Sequence, residues 1–351
     1  MSYIRKSDLK VFCEQALLKE GMSDENASLV AFVLSETDAY GIHSHGTKNL
    51  HNYIRKYRVG GMDIQAEPAV VIKSDAFAVI DAQNALGMIP SVKAMTLASE
   101  QAEKCGISLV TVKNSNHFGA AGVYANIAAK SGLIGLVCSN VDPNMTVPGA
   151  RGMVIGNNPI AFALPAQTMP SIFLDIALSN VASLKVVQAR QEGNEVPNTW
   201  IVDKDGLPTT DPSHYPEEGA MQPMAAHKGY GLSILVEVLT GMLSGSATSV
   251  EGDIVSWIFE LDQPNNVSHT FIAIDPKRFG VTDIASRAQR LVECLWQAPK
   301  ARGSERIYVP GEIEWERYKK ANQDGIALPE DVEVSLKGLA DELMINLPLY
   351  T

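Results

Sequence analysis

Over the first 60 positions, apolar residues recur at helical spacing. Leu9, Phe12, Ala16 and Leu17 mark one helix, with Ser7 as its N-cap and Gly21 as its stop. Ser23 opens a second helix that carries Val30, Val33 and Leu34 and ends at Gly41. After a polar knot at residues 43–46, Leu50, Tyr53, Ile54 and Tyr57 predict a third helix, closed by Gly60-Gly61. Residues 1–68 therefore read as a small helical lobe.

From about residue 69 the period changes. Strands are expected at 69–72, 76–80, 107–112, 133–138, 160–164, 171–176, 199–203 and 270–274. Helices are expected from Pro90, placed in a first turn, to Cys105, and at 119–130, 229–243, 282–297, 312–323 and 330–343. The strand–helix–strand run at 107–138 is a building block of α/β folds. The short strands between 159 and 203 look hairpin-like, which favours a mixed sheet over an all-parallel one. The expected organisation is a mixed-sheet domain at 69–311, followed at 312–351 by helices that pack back on the N-terminal lobe. Residues 246–268 are polar with weak periodicity and read as a long surface loop.

Composition narrows the function. With 29 Lys and Arg against 40 Asp and Glu, the 351-residue chain carries a formal net charge of −11. An acidic chain with no basic cluster is a poor binder of nucleic acid or anionic membrane. No apolar run approaches the roughly 18 residues of a membrane helix, and the start lacks the apolar stretch of a signal peptide. Cys13, Cys105, Cys138 and Cys294 are far apart, form no metal-ligand pattern, and are expected as buried reduced thiols. The expected setting is the cytoplasm, and the expected partner a small molecule.

No Gly-x-Gly-x-x-Gly follows a strand and no Walker loop is present, so the residues alone give no sign of a nucleotide. Three polar groups could carry chemistry. Three of the seven histidines, His43, His45 and His51, fall close together, with Glu36 and Asp38 nearby. They suit a polar substrate pocket, a metal-dependent hydrolase, or a plain histidine-bearing surface. His117 lies between a strand end and a helix start, where N–H groups would keep its ring neutral and able to accept a proton. Lys228-Gly229-Tyr230-Gly231 precedes an apolar run and is a candidate anion site at a helix start. Asn140, Asp142 and Pro143, residues 156–159, and Asp175-Ile176-Ala177 also lie at expected strand ends.

Taken in order, these pieces resemble the malate/L-lactate dehydrogenase family that lacks a Rossmann fold. The matching residues are Ser44-His45-Gly46, Asn116-His117-Phe118-Gly119, Gly156-x-Asn158-Pro159, Asp175-x-Ala177, Thr209-Thr210-Asp211-Pro212, Lys228-Gly229-Tyr230-Gly231-Leu232 and Pro310-Gly311-Glu312. They span residues 9–345. The stretch from Pro197 to Pro212 looks most like the ureidoglycolate dehydrogenase branch.

The resemblance implies a mixed, largely antiparallel sheet that binds a nicotinamide cofactor, NAD or NADP with NAD favoured. It implies a homodimer or larger assembly that interconverts a 2-hydroxy acid and its 2-oxo acid. Ureidoglycolate, oxidised to oxalurate, is the first substrate expectation; malate, L-lactate or a cyclic imine are the alternatives. His117 would be the acid/base. Ser44, His45, Lys48 and Asn49 would line the substrate pocket. Asn140, Val141, Asp175, Ile176, Ala177, Lys228, Gly311 and Glu312 would lie on the cofactor. Three departures stand out. Asn49 occupies the place of a usual arginine, with Lys48 beside it as a possible point charge. Val141 stands where serine is common, and Ala225-Ala226-His227 where glycines often stand.

Overall fold

The structure is a computed structural model that describes residues 2–350. Its strands are β1 (Ser2–Ile4), β2 (Ala69–Lys73), β3 (Phe77–Asp81), β4 (Ile107–Ser115), β5 (Ile134–Ser139), β6 (Ile160–Pro165), β7 (Ser171–Ile176), β8 (Ile201–Val202), β9 (Pro208–Thr209), β10 (Ala220–Met221), β11 (Val267–Ile274) and β12 (Ile326–Leu328). Its α-helices are α1 (Lys6–Lys19), α2 (Asp24–Ala39), α3 (Leu50–Arg58), α4 (Met88–Cys105), α5 (Ala121–Lys130), α6 (Ser183–Glu192), α7 (His227–Glu237), α8 (Ile284–Trp296), α9 (Glu312–Asp324) and α10 (Glu330–Leu343).

Seven strands form one sheet in the order β2-β3-β4-β11-β5-β6-β7, in which only the β3–β4 pair is parallel. The strand–helix–strand unit is β4-α5-β5, but its two strands are not neighbours. β11 lies between them, with Thr270 opposite Thr111 on one side and Cys138 on the other. Nearly every residue of β11 is buried, as expected of a strand covered on both faces. Helices α4 and α5 pack on the sheet at β4, β5 and β11, while α7 and the turn after it also reach these strands. The fold is thus mixed and largely antiparallel.

Ser23 caps α2 by accepting Asn26 N–H, as the sequence suggests. Ser7 does not cap α1, which begins one residue earlier, after Arg5. The pairing of β1 with β12 holds residues 2–4 extended, so the chain turns into the helix directly from Arg5. The helix expected at 229–243 divides: α7 ends at Glu237 and Val238–Met242 continue as a π-helical turn. The strand expected at 199–203 shrinks to β8 and leaves the main sheet for a small β10-β8-β9 sheet. That small sheet belongs to a satellite core that includes Met145, Ile155, Tyr215 and Met221. Helix α6, which the sequence reading passed over, contributes Val186 to the same cluster.

The main core does not stop at residue 68. One cluster runs from Leu9, Val30 and Leu34 through Tyr124 and Phe271 to Leu336. Polar ties join the C-terminal helices to the N-terminal ones: Lys19 Nζ donates to Leu343 O, and Ser335 Oγ to Lys48 O. All four cysteines are free; Cys13 and Cys138 are buried as expected, whereas Cys105 and Cys294 are exposed. Both exposed thiols lie on solvent-facing sides of helix ends, so the helical pattern that suggested burial misplaced them. Among the described residues, no helix is long and apolar enough to cross a membrane.

Candidate active site

β4 ends at Ser115, and the next two residues turn the chain toward α5. Asn116 fixes that turn: it is buried, and its amide donates to Asn84 O at 3.0 Å and Ala85 O at 3.1 Å. His117 follows, partly open to solvent. The Tyr53 hydroxyl, from α3, lies 2.7 Å from its Nδ1. Trp257 stacks on the imidazole with centroids 4.2 Å apart and planes at 11°, and the His45 ring is 5.6 Å away. Burial, reinforced by His45 and His269, holds His117 well below the usual histidine range. The ring is therefore neutral, but not chiefly because of the helix start. Helix α5 begins four residues later, and its Gly122 N–H is given to Asp175.

Asp38 organises the loop that carries Ser44 and His45. Fully buried in the last turn of α2, its carboxylate meets His43 Nδ1 at 2.8 Å and accepts Thr47 N–H at 2.9 Å. A Cβ at Gly46 would stand 2.1 Å from Asp38 Oδ1, so the loop can close over the carboxylate only with glycine there. Ser44 Oγ then sits 2.9 Å from His45 Nδ1, and Asn49 Nδ2 donates to the Ser44 carbonyl at 2.9 Å. Burial lowers the His45 pKa as well. Lys48 is not part of this group: its ammonium is 2.6 Å from Asp331 at the surface. The histidine cluster also disperses, His43 to Asp38 and His51 to Glu342 at 2.8 Å. Among the described residues no three His, Cys, Asp or Glu side chains converge on one point, which leaves the hydrolase reading without a ligand set.

Most of the cofactor candidates fall along one strand end. The Asp175 carboxylate, closing β7, accepts Gly122 N–H at 2.7 Å and so caps α5; burial raises its pKa to about 6. Ile176 and Ala177 continue from it. Leu178 O accepts Met224 N–H at 2.8 Å, bringing the start of α7 and the exposed Lys228 to the same place. Phe173 N–H donates to Pro310 O at 3.2 Å, which sets Gly311 against β7. Three candidates are engaged otherwise. Asn140 is 0% exposed, accepts Ser268 N–H at 2.7 Å and donates to Ala247 O at 3.0 Å. Val141 N–H donates to Asn158 Oδ1 at 3.1 Å. Glu312 is buried between Trp296 Nε1, Val309 N–H and the Arg306 guanidinium. These three shape the site from beneath.

Four residues near His117 escaped the sequence reading. Tyr53 looked like one more apolar position of α3. Trp257 sat alone in a polar stretch, and Asp38 was weighed only as a metal ligand. His269 lies in β11, wholly buried, 2.8 Å from Ser139 Oγ and 2.9 Å from Ser115 Oγ, and stacked on Phe118 at 4.3 Å. An isolated histidine in an apolar strand is the one signal that could have found it.

Residues 4–337 match the family model described as malate/L-lactate dehydrogenase. The chain is 33% identical to L-sulfolactate dehydrogenase of Methanocaldococcus jannaschii over 95% of each chain. It is 31% identical to ureidoglycolate dehydrogenase (NAD(+)) of Escherichia coli K12, over 94% of this chain and 93% of that one. Malate dehydrogenase from Entamoeba histolytica superposes with a TM-score of 0.91 at 28% identity, covering 99% of this chain and all of that one. Fold and relatives together are those of a nicotinamide-dependent oxidoreductase acting on CH–OH groups. The chain belongs to the malate/L-lactate dehydrogenase family.

Proposed function

We propose that this dehydrogenase interconverts a small 2-hydroxy acid and its 2-oxo acid, with His117 as the acid/base. The observation that carries the proposal is a neutral, partly open imidazole whose Nδ1 is held by Tyr53. For Nε2 to accept a hydroxyl proton, Nδ1 must carry the hydrogen and donate it to Tyr53 Oη. Burial keeps that phenol protonated, so it cannot take the proton itself. In the reverse direction the imidazolium returns a proton to the substrate oxygen. Ser44 and His45, joined at 2.9 Å beside His117, would meet the substrate carboxylate.

The residues present fit a nicotinamide dinucleotide. The exposed Lys228 at the start of α7 meets the β7 end, a cation suited to a phosphate group. Asp175, Ile176, Ala177, Lys228 and Gly311 would hold the dinucleotide, with Asn140, Val141 and Glu312 shaping its bed. When bound it accepts or supplies the hydride. NAD is favoured because the Escherichia coli relative named for NAD(+) matches over nearly the full length, with NADP as the alternative.

Ureidoglycolate is the first substrate we propose. Its support is the 31% identity to ureidoglycolate dehydrogenase. The Pro197–Pro212 resemblance adds little, because those residues build the satellite sheet. Malate, L-lactate and cyclic imines follow; a Pseudomonas putida reductase of pyrroline and piperideine carboxylates is 30% identical. We further propose a homodimer or larger assembly. Leu235, Val238, Met242 and Leu243 are 43–56% exposed along α7 and its π-turn, an apolar stripe that a second copy would cover. Four unpaired cysteines suit the cytoplasm.

The experiment is a panel of hydroxy and oxo acids with NAD(H) and NADP(H), followed by nicotinamide absorbance. Turnover confined to 2-hydroxy or 2-oxo acids supports the proposal. Absence of turnover across the panel overturns it. Ureidoglycolate among the poorest compounds removes that substrate alone.

A further inference from the structure

The irregular segment at 246–266 is more than a surface loop, because α3 grips it from two hundred residues away. Lys56 is 1% exposed, and among the described residues its ammonium forms no ion pair, with the Asp262 and Glu260 charges acting on it only from farther off. It donates to the Gln263 carbonyl and, at 3.2 Å, to the Glu260 carbonyl. A buried ammonium spent on backbone carbonyls is costly unless the geometry it enforces is kept. Asn52, one turn earlier, donates to Trp257 O at 3.3 Å. Just beyond α3, a Cβ at Gly61 would stand 2.0 Å from Leu261 O, so the two backbones touch there only because residue 61 is glycine. These contacts hold the backbone that carries Trp257 against α3. The indole is half-buried, stacked on His117 and 5.4 Å from the Tyr53 ring.

Resting on the proposed reading of His117, we propose that Trp257, fixed by the Lys56 strap, is a specificity-determining residue. It walls the space beside the imidazole and favours 2-oxo and 2-hydroxy acids whose side chain is flat and uncharged. One indole face lies on His117, and what remains open of this half-buried ring offers such a group an apolar surface. A second anionic group brought against the same wall would lose water without gaining a counter-charge. Lys48, on the approach to α3, is engaged by Asp331, and Lys56, within it, by the strap.

The test compares phenylpyruvate, pyruvate and oxaloacetate as oxidants of NADH or NADPH in the full-length enzyme, in Trp257→Ala, Trp257→Phe and Lys56→Met. The expected wild-type order of kcat/KM places phenylpyruvate at least ~10-fold above oxaloacetate, a span ordinary for pocket discrimination. Trp257→Ala should collapse that ratio by about tenfold, and Trp257→Phe should keep most of it. Lys56→Met should shift the ratio in the same direction as Trp257→Ala. If Lys56→Met does not fold, the two Trp257 variants decide. An unchanged ratio in Trp257→Ala, or a wild-type preference for oxaloacetate, overturns the specificity proposal and leaves the function standing. Failure of wild type to turn over any of the three acids overturns the specificity proposal, and the wider panel of hydroxy and oxo acids alone decides the function.

Discussion

Tyr53 Oη lies 2.7 Å from His117 Nδ1, although the two residues are 64 positions apart. The contact engages Nδ1 and leaves Nε2 as the nitrogen that the proposed acid/base role would use. His117→Ala should lower kcat by about 10²–10⁴-fold, the ordinary worth of a general acid–base. Tyr53→Phe keeps the ring and removes only the partner of Nδ1, so kcat should fall roughly tenfold with KM much less affected. Steady-state rates with the best acid of the panel check both. A Tyr53→Phe enzyme with wild-type kcat would remove the orienting role.

The neutral state of His117 has a kinetic consequence. Its folded pKa lies well below the ordinary 6.5, so the base form persists as pH falls through 6.5. Oxidative kcat/KM should stay level from pH 8 to about pH 6, where an exposed histidine would already be losing activity. Reductive kcat/KM, which needs the acid form, should rise as pH falls over that range. Burial also raises Asp175 and Asp142 to about 6 each. A step near pH 6 that vanishes in Asp175→Asn belongs to that carboxylate and not to His117.

His269 couples the sheet to pH. Burial drives its pKa down to about 3, against 6.5 when exposed. Between those values the unfolded chain binds a proton that the folded one refuses. This histidine's contribution to stability is therefore complete above pH 6.5 and is lost as pH falls toward 3. His269→Gln should flatten urea-unfolding stability against pH by about 1.4 kcal/mol per unit within that window. Parallel pH slopes for wild type and variant would contradict the assignment.

Ala225 and Ala226 sit at φ 48° and 53°, immediately before α7. A Cβ is strained in that half of conformational space, and Gly is not. Ala226→Gly should stabilise the protein by about 1 kcal/mol, the strain relieved outweighing the added freedom of the unfolded chain. Thermal or urea unfolding at neutral pH reads this directly. A loss of stability would mean the alanine methyl makes contacts worth more than its strain.

Asn49 donates to the Ser44 carbonyl, so Asn49→Arg trades a loop tie for a cation beside the pocket. A guanidinium there can grip a carboxylate in a fork. KM for oxaloacetate and malate should fall, and the preference against a second carboxylate should shrink. An unchanged KM would show that the fork cannot reach the ligand.

The helices and most strands were legible because periods of 3.6 and 2 are local properties of the chain. The sheet's order was not. Nothing in residues 107–138 announces that residues 267–274 will lie between β4 and β5. Ser7 misled because a capping residue was read without the strand pairing that precedes it. In the site, His117, Ser44 and His45 announced themselves as polar groups at expected loop positions. Tyr53, Lys56 and Trp257 did not, since their roles exist only where α3 meets a segment two hundred residues away. Lys48 looked available because its partner, Asp331, lies in a distant helix.

The placement of β11 also bears on how the chain is made. During synthesis, β4 and β5 emerge with open hydrogen-bonding edges, and the strand that fills both comes more than 120 residues after β5 ends. Open edges of this kind invite pairing with other chains. His117 lies just past one of them, and the indole stacked on it is translated only ten residues before β11 begins. Edge closure and site assembly are therefore late, nearly simultaneous events, and a ribosome stalled before residue 257 holds a chain with neither.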